Sequence, residues 1–374
     1  MLKKVHQVDW GSLHHAYGPA KDIPQQIYKL RSKDEKVWWT HFNKLSNNIL
    51  YRDKYIFEAT SYAVPFLIKL VEDENILFRE HLLHLLAGIA NGTSNKVNNE
   101  HLFFIQRTSF TRKEQLEFQK ELEWVKKAKL AVYQGIPIFF RLSQHDNYVI
   151  KEAAIYTLSS IKWLEEDILK QLRLQLLQEK NPMVLTNLVL ALGAQQDQHA
   201  QTIHILERYL ALSEQPLLQL AAAIALTQIQ SGHISRETSQ VLIQTIKNPD
   251  RVLAYDNLLF AKIDVITDIG RLLSQLPKEE SVRSLSYLID AFLHTENALA
   301  AVELTRSILT IAFGEMKHVT SRKASDLTEQ QRIILKHIAD SKVAWTFNAN
   351  MSRVLQEFLL PSDLTHLRQF LKEG

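Results

Sequence analysis

The sequence predicts an all-α fold, an α-solenoid of stacked helix pairs wound as a right-handed superhelix, and three observations lead there. Glycine and proline are sparse, ten and nine in 374 residues, too few for the turns an all-β chain needs. Leu, Ile, Ala, Gln, Lys and Glu dominate, which favours helices. A helix–turn–helix design also recurs at nearly constant spacing, the mark of a repeat architecture.

The repeat is read from its turns. They fall at Gln144-His145-Asp146-Asn147, Glu179-Lys180-Asn181-Pro182, Ser213-Glu214-Gln215-Pro216 and Lys247-Asn248-Pro249-Asp250. Pro182, Pro216 and Pro249 stand 34 and 33 residues apart, and Asn147 lies 35 before Pro182. Each proline is expected to open a helix, where its missing N–H is no loss. Asn181 suits a helix cap. Residues 150–161, 184–192 and 217–229 carry apolar side chains at three- and four-residue spacing. Small residues there (Ala153, Ala154, Ala191, Ala221, Ala222, Ala223) allow close helix approach.

Upstream, residues 23–49 and 63–90 repeat the design around Pro24 and Pro65. Pro65, Asp73 and Arg79, and again Pro137, Asp146 and Lys151, follow the Pro…Asp…Arg/Lys order of HEAT-type repeats. Paired helices at this period, with no strand between them, predict one HEAT-like solenoid over residues 1–374. Its expected parts are N-terminal repeats (1–91), a loop plus a long charged helix (92–135), regular central repeats (136–320) and C-terminal capping helices (321–374). Residues 91–99 and 321–326 read as polar loops. The charged helix, 112–134, is expected to pack through Leu116, Leu122 and Val125.

With 46% hydrophobic residues the chain can build a large core, which excludes disorder. The absence of cysteine removes disulfides, thiolate nucleophiles and thiolate metal sites. The basic start, Lys3-Lys4, is followed by no apolar stretch, and no run approaches a membrane span. A cytoplasmic chain without membrane contact is expected. Net charge is only +3, from 44 basic and 41 acidic residues, with a mildly basic front and a mildly acidic middle. No block of like charges forms a nucleic-acid tail.

Two clusters near the ends carry a resemblance. The first is Trp10, Leu13, Ala16-Tyr17-Gly18, Ala20 and Asp22-Ile23-Pro24, then Tyr55, Phe57-Glu58-Ala59-Thr60 and Tyr62-Ala63-Val64-Pro65-Phe66-Leu67. The second is Thr328, Gln331-Arg332, Leu335, Asp340, Trp345, Asn348, Asn350 and Leu360-Pro361. Together these resemble a family of bacterial HEAT-repeat proteins often encoded beside polymorphic toxins. The resemblance implies an immunity protein, a binder that neutralises a cognate toxin. It brings no catalytic residue with it.

Catalytic readings meet specific obstacles. Deoxyhypusine hydroxylases, built on HEAT repeats, hold iron with repeated His-Glu pairs, and none of the fifteen histidines here precedes a glutamate. Glu80-His81-Leu82-Leu83-His84 places two imidazoles one turn apart, but not in the His-Glu-x-x-His order of zinc hydrolases. Polar positions on an amphipathic helix are the expectation, with no metal and no cofactor. Gly88 and Gly92 read as a helix C-terminus rather than a phosphate loop. The enzymatic alternative is a HEAT-like alkylpurine DNA glycosylase, with Trp38, Trp39, Tyr51 and Arg52 around a nucleotide and Lys29, Arg31 and Lys33 on phosphates. The adjacent Trp38 and Trp39 equally predict one ring in the core and one at its edge.

The expected function is therefore non-catalytic protein binding through a concave solenoid face. Aromatic and arginine anchors carry such recognition. Candidate contacts are Trp39, His41, Arg79, Tyr156, Tyr255, Asp256, Asp264 and Asp268. Asp264 and Asp268, four apart, either await a cationic partner or are neutralised by Arg271. Glu58, among Tyr55, Phe57 and Tyr62, is expected to be a structural acid bonded to a neighbouring helix end, beside the repeat's Pro65.

Overall fold

A computed structural model describes residues 2–95, 111–162, 166–230, 234–314 and 322–373. The fold is all-α apart from two small hairpins. Contacts divide it into two compact units, Met1–Gln195 and Gln196–Gly374. That boundary falls inside the 136–320 block that the repeats define. Residues 96–99 and 321, read from sequence as loop, lie outside the described residues.

The first unit opens with a 3-10 turn, Leu2–Gln7, and the hairpin β1 (His14–His15) and β2 (Gly18–Pro19). Gly18 has a φ of 125°, a conformation open to glycine and strained for other residues. Helices α1 (Ile23–Lys29) and α2 (Glu35–Ile49) follow, the second capped by Asp34, whose carboxylate accepts from Val37 N–H. A second hairpin, β3 (Leu50–Tyr51) and β4 (Tyr55–Ile56), turns through Arg52 and Asp53, both left-handed. Then come α3 (Thr60–Glu72), α4 (Arg79–Asn91), α5 (Arg112–Tyr133), α6 (Ile136–Leu142), α7 (Tyr148–Ser160), α8 (Glu166–Gln178) and α9 (Pro182–Ala194). Helix α7 packs on both α4 and α9.

The second unit runs α10 (Ala200–Leu212), α11 (Pro216–Gln230), α12 (Arg236–Lys247), a 3-10 stretch (Pro249–Asn257), α13 (Val265–Ser274), α14 (Lys278–His294) and α15 (Ala298–Phe313). A 3-10 turn, Ala324–Asp326, precedes α16 (Glu329–Asp340), α17 (Asn348–Glu357) and α18 (Leu364–Lys372). Helix α11 buries Ala221, Ala222 and Ala223 together with Leu220 and Ile224. A helix apolar on most sides is one packed on most sides.

Most helix starts follow the local signals. Pro182 and Pro216 are first helical residues, and Asn181 accepts from the N–H groups of Met183 and Val184. Three expectations change. Pro249 opens a 3-10 stretch kinked at Val252, not an α-helix. Pro65 lies inside α3, in its second turn, where one intrahelical bond is forgone. On α5, Leu116 and Leu122 are exposed and Val125 is half-buried; Ala128 and Val132 are the fully buried residues. The first turns of α5 are mostly polar and charged, and the fully buried residues of the helix, which packs on α3 and α4, lie in its C-terminal half.

The end of α4 is held against the second hairpin. Ile56 N–H donates to Thr93 O (2.9 Å) and Thr93 N–H to Lys54 O (2.8 Å). Gly92 caps the helix with an ordinary φ of −63°, so its need for glycine is steric rather than conformational. A Cβ there would stand 2.6 Å from Ile56 Cδ1. Gly92→Ala should therefore cost about 1–3 kcal/mol in denaturant unfolding. Trimming the neighbour, as Gly92→Ala with Ile56→Val, should recover part of that loss.

Candidate functional site

The first unit carries a track of aromatic and imidazole rings across three helices. Helix α2 supplies Trp38, Trp39 and Phe42; Phe78, just before α4, and His81 and His84 come next; α7 supplies Tyr156. Trp39 and Phe42 are one turn apart, as are His81 and His84, so each pair shares a helix face. Trp38 is fully buried and stacks on Phe42 at 4.8 Å between centroids. Trp39 lies half-buried above it, edge-on to His81 at 4.7 Å and tilted against Phe78 at 5.2 Å. His81 meets His84 at 5.7 Å, and His84 meets Tyr156 at 6.4 Å. Edge-to-face geometry at these separations is the favoured arrangement for rings.

Among the described residues, three polar atoms of this region lack hydrogen-bond partners: Trp38 Nε1, His84 Nε2 and Glu152 Oε1, each buried. Glu152 stands one turn before Tyr156 on the same face of α7. Burial alone raises its pKa above the usual carboxylate range. Burial, aided by neighbouring His81, lowers His84 to about 4, so its ring is neutral near pH 7. Burial likewise pushes the Tyr156 hydroxyl up.

The eight contacts expected from sequence divide between the units. Trp39 and Tyr156 belong to the ring track. His41 points elsewhere on α2, with Nδ1 2.5 Å from Gln26 Oε1; burial and the nearby Lys29 and Lys44 lower its pKa. Arg79 is buried and engaged internally, donating to Val71 O and lying 3.2 Å from His145 Nε2.

In the second unit Tyr255, Asp256, Asp264 and Asp268 come together around the start of α13. Asp264 precedes the helix as its N-cap and accepts from Thr267 N–H at 2.7 Å, so it does not share a helical face with Asp268. Asp256 accepts from Val265 N–H at 3.1 Å. Asp268 accepts from Lys262 N–H at 2.8 Å and from the Tyr255 hydroxyl at 3.3 Å, and it is ion-paired with Arg271. Burial, reinforced by Asp268, raises the Tyr255 pKa, and burial lowers that of Lys262. Asp268 is thus neutralised by Arg271, while Asp256 and Asp264 are bonded by backbone N–H groups.

Glu58 bonds a hairpin rather than a helix end: its Oε2 accepts from His14 N–H at 3.2 Å, joining β1 to the start of α3. Nearby, buried His15 is held at both nitrogens. Its Nδ1 accepts from Tyr17 N–H at 3.0 Å, which leaves Nε2–H to donate to Asp22 Oδ1 at 3.0 Å. Among the residues proposed for DNA, Trp38 is closed off in the core and Lys33 donates to Asn75 O. Arg52 lies over the Tyr51 ring at 5.2 Å. Among the described residues no three His, Asp or Glu side chains converge to hold a metal. A groove of about 650 Å³ beside α11 and α12 has a mixed lining in which the amides Gln219, Gln240, Gln244 and Asn248 stand among apolar and charged side chains.

No family model matches the chain, and no curated protein matches it. Among solved structures, it is similar to an engineered protein determined by the Northeast Structural Genomics Consortium, at 17% identity and a TM-score of 0.31. That similarity covers 95% of this chain and 100% of the other, but is too shallow to bear on fold or function.

The depressed His84 pKa makes stability pH-dependent. On acidification the unfolded imidazole takes up its proton near pH 6.5, the folded one only near 4. Its contribution is therefore complete above 6.5 and lost as pH falls towards 4, on the order of 3 kcal/mol. Urea unfolding across this range should show the slope, and His84→Leu should remove most of it.

Proposed function

We propose that the chain is a non-catalytic protein-binding scaffold, a HEAT-like solenoid whose partner is a cognate toxin that it neutralises. The observation that carries the binding part is the ring track. Half-buried aromatic side chains from three helices are the residue types that dominate protein interfaces. Rings of this size left partly in water are a cost to the isolated chain that a partner's surface would relieve.

The toxin as partner rests on the sequence resemblance at the two ends of the chain. Of the four residues offered around a nucleotide in the DNA alternative, Trp38 is fully buried and cannot stack on a base without opening the core. The unpaired Glu152 carboxylate also disfavours a phosphate backbone at the track.

The affinity-tagged chain, expressed in its native cell, should retain one dominant protein at stoichiometric amounts, identified by mass spectrometry. That protein should inhibit growth when produced alone and be harmless when produced with this chain. Reproducible recovery of the chain without any partner would contradict the proposal.

A further inference from the structure

We infer that the ring track on α2, α4 and α7 receives an arginine or lysine side chain from the partner protein, with Glu152 as its anionic counterpart. The inference rests on the protein-binding reading and adds the chemistry of the contact.

Two features converge on a cation. The faces of Trp39, Phe42 and Tyr156 are electron-rich and attract an ammonium or guanidinium, most strongly where water is excluded. One turn from Tyr156, Glu152 presents a buried carboxylate oxygen to which no group among the described residues donates. An unpaired buried carboxylate is costly, and a charged donor is the partner that best offsets that cost. Three cations of the first unit, one of them Glu152's sequence neighbour Lys151, are engaged with other groups. Lys151 pairs with Glu179 at 3.3 Å, Arg79 with Val71 O and His145, and Arg141 with Glu72 at 2.9 Å.

The helix packing sets Glu152 at the Tyr156 end of the track. Thr157, the residue after Tyr156, donates its hydroxyl to the carbonyl of Leu83, the residue before His84, at 3.0 Å. This bond fixes the height of α7 on α4 and keeps Tyr156 and Glu152 in register with the imidazoles. His84, neutral near pH 7, adds a second unpartnered atom, Nε2, that can accept a hydrogen bond from a guanidinium when the ring proton is on Nδ1. Arginine fits better than lysine, because its flat fork can stack on a ring while donating from its edge. A phosphate or a partner carboxylate would meet the repulsion of Glu152.

The test uses the full chain and a blocked tri-arginine peptide, followed by tryptophan fluorescence, with blocked tri-glutamate and oligothymidylate as comparisons. Tri-arginine should bind, and the other two should not. Glu152→Gln and Trp39→Ala should each weaken tri-arginine about tenfold, while Asp290→Asn on α14 should leave it unchanged. Glu152→Gln should not lower the unfolding midpoint, because it removes an unpaired buried charge. Tri-arginine binding unaltered by Glu152→Gln, or oligothymidylate binding in place of tri-arginine, would overturn the inference. The same variants are then used to capture the cellular partner. A partner held equally well by Glu152→Gln would sink the cation site and leave the protein-binding reading intact. Failure of the wild-type chain to capture any partner, alongside a normal tri-arginine response, would sink only that reading.

Discussion

The seating of α7 on α4 is the constraint on which the candidate site depends. Ala153 and Ala154 are buried on α7, which packs on α4 and α9, and small side chains of this kind allow helices to approach closely. Close approach brings the Thr157 hydroxyl within 3.0 Å of Leu83 O, and the same hydroxyl lies 2.7 Å from Ala153 O one turn back on its own helix, so the two carbonyls share one donor. A buried hydroxyl bond of this kind contributes only about 1 kcal/mol. Its structural effect is larger, because a shift of one turn along α4 would separate Tyr156 from His84 and break the ring track. Small residues thus act as positioning elements for large ones. The fully buried Trp38 does the same on α2, serving as the plate on which Phe42 stacks and against which Trp39 is turned outward.

The two charged clusters respond to burial in opposite ways. Around α13, Asp268 is buried with a cation, a backbone N–H and a phenol hydroxyl supplied by its own unit, so its charge is met within the fold. A network closed in this way stabilises the local geometry and has little left to offer a partner. Glu152 is half-buried, its enclosed Oε1 has no such support among the described residues, and its raised pKa has burial as its sole cause. The contrast is what directs attention to the ring track, although sequence alone draws the eye to the aspartates.

Much of the fold was legible because it is written in local chemistry. Asn147, Asn181, Pro182 and Pro216 mark helix starts through caps and a missing N–H, which depend only on near neighbours. The pair Trp38 and Trp39 divides between core and edge as adjacent helical residues must. The departures occur where tertiary contact decides. Two left-handed residues, Arg52 and Asp53, turn a hairpin where only helices are expected, and a kink at Val252 keeps the segment after Pro249 from becoming α-helical. The site was half legible. Trp39 and Tyr156 are readable as candidate anchors, and His81 and His84 stand out by spacing. The joining of these residues depends on the register between α2, α4 and α7, which no local pattern encodes. Glu152 gives no sequence signal, since its importance is the absence of a partner in three dimensions.

The central claim is that the ring track is the surface a protein partner covers. Oxidative footprinting of the free and partner-bound chain, read residue by residue by mass spectrometry, measures this directly. Labelling of Trp39, Phe42, Phe78 and Tyr156 should fall on binding, while exposed side chains such as Leu116 and Leu122 on α5 should keep theirs. Unchanged labelling of the four rings, with protection confined to residues 196–374, would contradict the account.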